Sequence, residues 1–234
     1  MNTEKLVASH VAAVPPSGIR KFFDIASDMK NVISLSVGEP DFVTPWNVRV
    51  AAISSIEQGR THYTSNYGMM ELRELISEYL SSRYHVQYPA EQVLVTIGAS
   101  EALDLAFRAI LEPGDEVLVP APSYVSYEPG VAFCHGVPVP VETKEEDNFI
   151  LTPEQIERVI TKKTKAIVLP YPNNPTGAIM TREQLEAIRT VILKHDLFVI
   201  SDEIYSELTY GQRHVSLQRG WRIERCSSTG FPRP

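Results

Sequence analysis

The feature that most limits the fold of this chain is a regular alternation, from about Pro45 onward, of short apolar runs with stretches of helical periodicity. Val93–Ile97, Glu116–Val119, Val137–Val141, Ala166–Leu169 and Phe198–Ile200 read as strands. Val48–Glu57, Met70–Arg83, Ser100–Leu111, Tyr124–Phe133, Pro153–Ile160 and Arg182–Lys194 read as helices. Within Met70–Arg83, the residues Leu72, Leu75, Ile76 and Leu80 share one face. Two helix starts are written out in full. Thr152-Pro153-Glu154-Gln155 has a capping threonine, a first-turn proline and a glutamine that can reach back, and Thr181-Arg182-Glu183-Gln184 repeats the capping box. Pro113-Gly114-Asp115 is a turn. Strands separated by helices require right-handed crossovers, so the expected fold is α/β, with a mostly parallel sheet sandwiched by helices. Residues 1–45, rich in Pro and Gly, read as an arm with a short extended segment at Val32–Val37.

Bulk properties exclude several functions. The 234 residues suffice for one α/β domain or one domain and part of another. A net charge of -7 argues against nucleic-acid binding, which rests on clustered Lys and Arg. No apolar run approaches the roughly 20 residues of a membrane span. The N-terminus is a poor secretory signal, and Cys134 and Cys226 cannot build a disulfide framework, so a cytoplasmic location is expected. The six histidines show no ligand spacing, and no metal site is expected.

In open parallel sheets the ligand sits beyond the carboxyl ends of the strands, so the strand-to-helix loops are where chemistry belongs. Thr96-Ile97-Gly98-Ala99-Ser100-Glu101 is a small-residue turn entering a helix, a place where free N–H groups suit a phosphate. Pro120-Ala121-Pro122-Ser123-Tyr124 sets an aromatic ring at the same rim, able to stack on a flat heteroaromatic ligand. Tyr171-Pro172-Asn173-Asn174-Pro175-Thr176-Gly177 is a rigid platform that aims Asn174. Ser201-Asp202-Glu203-Ile204-Tyr205 ends an apolar strand with a carboxylate that is costly to bury unless it meets a cation, such as a protonated pyridine nitrogen. Singly, each has an ordinary structural explanation: an N-cap serine, a core tyrosine, a proline turn, an N-cap aspartate. Together and in order, they supply what pyridoxal phosphate requires.

Five ordered motifs then carry a family resemblance: Ser36-Val37-Gly38-Glu39-Pro40-Asp41-Phe42, the Tyr63-Thr64…Gly68…Leu72-Arg73 stretch, Gly98-Ala99-Ser100, Asn174-Pro175-Thr176-Gly177 and Asp202-Glu203-Ile204-Tyr205. Over residues 15–216 the chain resembles class I/II, fold-type I aminotransferases, and within them the bacterial aromatic and N-acetyl-diaminopimelate aminotransferases. The resemblance implies pyridoxal 5'-phosphate as cofactor, ping-pong transfer of an amino group between an amino acid and a 2-oxo acid, and a homodimer. It implies that Gly38 contacts the substrate carboxylate and that Tyr63 reaches the phosphate held by a neighbouring subunit. Ala99 and Ser100 would hold the phosphate and Tyr124 would stack on the ring. Asn174 and Tyr205 would bond the 3′-oxygen, and Asp202 would pair with the ring nitrogen. Residues 1–45 become an arm with part of a small domain, 46–216 part of the cofactor-binding domain, and 217–234 an aberrant tail.

One element of the family pattern is absent. Its Schiff-base lysine lies about thirty residues beyond the aspartate, in a motif like Asn-Gly-Phe-Ser-Lys. Here Lys162, Lys163, Lys165 and Lys194 all precede Asp202, and the tail Arg219–Pro234 loses the αβ periodicity. No catalytic residue is therefore assigned. If each new codon starts at the third base of the old one, codon degeneracy across Arg219–Pro234 permits Gly-Met-Ala-Asp-Arg-Thr-Leu-Phe-Ile-Asn-Gly-Phe-Ser-Lys-Ala without interruption. That string contains the lysine motif, so the tail is expected to be translated out of frame. The chain as it stands is expected to lack turnover and to be poorly soluble, because a shortened parallel sheet leaves an apolar edge. Two other readings share the retained motifs: a carbon–sulfur lyase of the same fold, and a non-catalytic remnant.

Overall fold

The computed structural model describes residues 6–16, 18, 25, 33, 42–217 and 227–228. The chain divides into two units, one of Met1–Val14 with Tyr67–Pro232 and the other of Pro15–Asn66 with Arg233–Pro234. In the second, the described residues form helix α2 (Trp46–Glu57), with none of its side chains buried. Val32–Val37 and Gly38 lie outside the described residues, apart from Ile33, which is in no regular element.

The first unit opens with the short helix α1 (Ser9–Ala12) and then carries the alternation. It comprises α3 (Met70–Tyr84), α4 (Gly98–Ile110), β1 (Glu116–Ala121), α5 (Tyr127–Phe133), β2 (Val137–Glu142), α6 (Pro153–Val159), β3 (Thr164–Leu169), α7 (Arg182–Lys194), β4 (Phe198–Asp202) and β5 (Ser227–Ser228). The sheet runs β2-β1-β3-β4-β5, and every pairing is parallel. Successive residues of a strand face opposite sides, so strands buried on both faces feed two cores. Leu118, Ile167, Leu169 and Val199 pack with Ile156 of α6 and with Leu185, Ile188 and Ile192 of α7. Val117, Val119, Ala166, Val168 and Ile200 pack instead with Leu103 and Phe107 of α4 and with Tyr127 and Val131 of α5. Both capping boxes form as expected, at Thr152 with Gln155 and at Thr181 with Gln184.

Three expectations change. Val93–Ile97 joins no ladder. Among the described residues no strand runs beside it, and Val95 N–H donates to the carbonyl of Tyr67 at 3.0 Å. In α3, Leu80 is buried but Leu72 and Leu75 are exposed, because the helix turns Arg73 inward, where its Nε donates to the carbonyl of Val93 at 2.9 Å. Within the tail, Ser227–Ser228 pair in parallel with Ser201 and Asp202.

Candidate functional site

The loops at the carboxyl ends of β1, β3 and β4 are bonded to one another. After β3, the buried Asn173 organises its loop: its Oδ1 accepts from Thr176 N–H at 3.2 Å and from Thr176 Oγ1 at 3.0 Å. Its Nδ2 donates to the carbonyl of Pro122, in the loop after β1, at 3.4 Å. Gly177, at φ +72, closes the turn by donating to the carbonyl of Asn173 at 2.9 Å. This frame presents the half-buried Asn174, whose Nδ2 donates to the Tyr205 hydroxyl at 3.5 Å.

Asp202 ends β4 and is only 4% exposed. Its Oδ2 accepts from the Tyr127 hydroxyl at 2.9 Å, and its Oδ1 from the N–H of Ile204 at 3.2 Å. Burial pushes the Asp202 carboxyl above the ordinary range, against the pull of those two donors, and the neighbouring Glu203 adds to the rise. No cationic side chain among the described residues offsets it. Tyr127 is held above its ordinary value by burial and then by Asp202. The ring of Tyr124 meets that of Tyr127 edge-on, with centroids 5.7 Å apart. Tyr124, Tyr127 and Asp202 therefore form one contact chain, while Asn174 and Tyr205 form a second beside it.

Ala99 and Ser100 lie in the first turn of α4, which starts at Gly98 with φ +76. No side-chain cap closes that end, the Glu101 carboxylate accepts from the N–H of Ile97, and Ser100 is exposed. The inner face of α4, Leu103 and Phe107, shares its cluster with Tyr127 and Ile200. Tyr63 belongs to the other unit and its ring is fully exposed.

The residue after Asp202 has opposite surroundings. Glu203, 2% exposed, accepts from Ser201 Oγ at 2.8 Å, Ser216 Oγ at 3.2 Å and Leu217 N–H at 3.3 Å, and it pairs with His214 Nε2 at 2.7 Å. Further along, Glu207 takes Arg83 Nε and Nη2 at 2.8 and 2.7 Å, together with the hydroxyls of Tyr79 and Tyr84. The Arg83 guanidinium holds the Glu207 carboxyl down at about 2. The segment carrying Tyr205 is thus anchored on both sides. Tyr127, Glu203 and His214 were not singled out from the sequence. The sequence pattern placed Tyr124 and Tyr127 one turn apart on a helix from Tyr124 to Phe133, but α5 starts only at Tyr127, after a turn.

The described lysines are elsewhere. Lys162 and Lys163 directly precede the amino end of β3, where Lys165 pairs with Asp115 at 2.7 Å, and Lys194 pairs with Glu157 at 2.7 Å. Lys144 follows the edge strand β2, with β1 and β3 between it and β4. Three strand spacings amount to roughly 14 Å, beyond a lysine's reach. Among the described residues there is no group of three or more potential metal ligands and no helix long and apolar enough to cross a membrane.

Residues 30–227 match the family description Aminotransferase class I and II. A putative aminotransferase of Bacillus subtilis, YugH, is 50% identical over 212 residues, covering 90% of this chain and 55% of that protein. A probable N-acetyl-LL-diaminopimelate aminotransferase of the same organism is 44% identical over 92% of this chain and 54% of its own length. Among solved structures, an aspartate aminotransferase from Thermus thermophilus superimposes with a TM-score of 0.89 at 39% identity, covering 95% of this chain and 59% of that one. The chain thus spans about 55% of the length of such curated relatives. With one relative half identical to it and a family match over most of its residues, the chain belongs to the class I and II aminotransferases, a family that depends on pyridoxal phosphate.

Proposed function

We propose that the loops around Asp202 form the ring-binding part of a pyridoxal-phosphate site whose complete enzyme moves an amino group between an amino acid and a 2-oxo acid. The observation that carries this reading is the buried Asp202, bonded to Tyr127 and Ile204 N–H but to no cation among the described residues. A carboxylate in that setting suits a protonated pyridine nitrogen, whose charge would offset the cost of burial. Asp202 would hold that nitrogen, Tyr124 would cover the ring face, and Asn174 and Tyr205, already paired at 3.5 Å, would share its 3′-oxygen. Ala99 and Ser100, opening an uncapped helix, would hold the phosphate. When bound, the cofactor supplies the electron sink that amino-group chemistry needs.

In this reading residues 1–45 are an arm with part of a small domain, 46–216 part of the cofactor-binding domain and 217–234 an out-of-frame tail. Gly38 serves the substrate carboxylate, and Tyr63 serves the phosphate bound by the second copy of a cytoplasmic homodimer. No described lysine reaches Asp202, so among the described residues there is neither the covalent anchor nor the group that would move a proton during transfer. Codon degeneracy across Arg219–Pro234 permits a string that would supply that lysine in another frame.

Nucleotide sequencing from the Ser216 codon onward, followed by correction of the frame, tests this directly. The corrected gene product is expected to convert an amino acid and a 2-oxo acid to the exchanged pair, and the present chain to show no turnover. Codons that spell another peptide in the shifted frame defeat the out-of-frame tail. Release of ammonia without an acceptor would replace the transferase reading with a lyase.

A further inference from the structure

The Tyr67-Gly68…Arg73 stretch is given no role by the site as described, yet its side chains are unusual. Arg73 is buried, 6% exposed, and among the described residues no carboxylate pairs with it. An unpaired buried guanidinium is costly, and a plain apolar residue would pack a helix more simply. Its Nε donates to the carbonyl of Val93 at 2.9 Å, and its guanidinium carbon lies 5.5 Å from the centre of the Tyr67 ring. The carbonyl of Tyr67 in turn accepts from Val95 N–H at 3.0 Å. Gly68, at φ +96, lies so close to Val95 that a Cβ there would stand 2.6 Å from its Cγ2 and 2.7 Å from its Cβ. All of these contacts fall on one extended segment, Val93–Ile97, which has no ladder partner among the described residues and leads straight into Gly98, Ala99 and Ser100.

We propose that Gly68 and Arg73 are positioning residues for the phosphate turn. With Tyr67 they clamp Val93–Ile97 and so fix where the first N–H groups of α4 point. This rests on the cofactor reading for its ligand, but the clamp itself is a property of the chain alone. A helix N-terminus binds an anion well only if its backbone is held in place beforehand, and an extended segment outside the sheet needs an anchor of its own to do that. The arginine gives a directional bond to a carbonyl that no strand satisfies, and the glycine permits the close backbone approach.

Amide hydrogen exchange on the present chain, compared with Arg73→Lys and Arg73→Met, tests the clamp without ligand. The amides of β1, β3 and β4 serve as an internal control for folding. Arg73→Met is expected to speed exchange at the hydrogen-bonded amides of Val95, Ile97 and Gly98 by about tenfold or more while the sheet is unchanged, with Arg73→Lys intermediate. Gly68→Ala is expected to do the same, and adding Val95→Gly is expected to recover part of the loss. In the same samples, the ratio of pyridoxal phosphate affinity to pyridoxal affinity is expected to fall roughly tenfold in Arg73→Met, with pyridoxal binding itself unchanged. Unaltered exchange at Val95, Ile97 and Gly98, acceleration spread equally over the sheet, or loosening without a change in that ratio would each overturn the proposal. A wild-type chain that binds the two compounds equally defeats the cofactor reading instead, while exchange still decides the clamp.

Discussion

Asp202 and Glu203 are neighbours at the end of one strand, both carboxylates and both almost wholly buried, yet their surroundings differ in kind. Glu203 is complete within the chain: two serine hydroxyls, a backbone N–H and an imidazole converge on its oxygens. Asp202 has a tyrosine hydroxyl and one backbone N–H, and burial still pushes its carboxyl up. A carboxylate that holds a fold together is surrounded by its own partners. One kept for a ligand is left short of them, and the fold is less stable for it until the ligand arrives. Adjacent residues can therefore be told apart by their partners where composition and burial alone would class them together.

The largest effect that sharpens this contrast is expected at Glu203. Glu203→Ala removes the acceptor on which His214, two serine hydroxyls and Leu217 N–H converge, and urea unfolding should show a loss of roughly 3–5 kcal/mol. Next comes Tyr127→Phe, which takes one of the two donors from Asp202. A loss of about 1–3 kcal/mol is expected in the ligand-free chain, with no gross change in the circular dichroism spectrum. Asp202→Asn should move stability the other way, by about 1 kcal/mol, since it removes a buried charge that meets no cation, while its oxygen can still accept from Ile204 N–H and its Nδ2 can donate to the Tyr127 hydroxyl oxygen. If Asp202→Asn and Glu203→Ala both destabilise strongly, the contrast between the two carboxylates is broken.

The pH dependence carries the same sign argument. The folded value for Asp202 is raised, so its contribution to stability is present below its ordinary 3.8 and is lost as pH rises through the raised value; Asp202→Asn should abolish that loss. Glu207 is the opposite case and the smallest effect. Its folded value is depressed to about 2, so its contribution is full above its ordinary 4.5 and is lost as pH falls toward about 2. Arg83→Gln should flatten the acid limb of the unfolding profile in that window, and an unchanged limb would show that the contact contributes nothing.

How far the sequence reached depended on whether the signal was local. Helix α7 was legible to the residue, from the Thr181 cap to Lys194, because capping chemistry is written in adjacent positions. Strands β1 to β4 were found from their apolar runs, but β2 and β4 continue into Glu142 and Asp202, since pairing does not stop where hydrophobicity does. Val93–Ile97 has the composition of a strand, and composition says nothing about a partner. The turn of α3 toward Arg73 was hidden because the carbonyl that it seeks lies 20 residues on. The candidate residues Tyr124, Asn174, Asp202 and Tyr205 were proposed from strand-end motifs, whereas Tyr127 meets Asp202 across 75 residues and His214 reaches Glu203 from beyond the motif.

The most direct measurement is the rise in melting temperature that a fixed concentration of pyridoxal phosphate produces in the wild-type chain and in Asp202→Asn. If the buried aspartate is held for a ring cation, the wild type gains clearly and the variant gains little, although the variant starts out more stable. An equal rise in both would contradict that role.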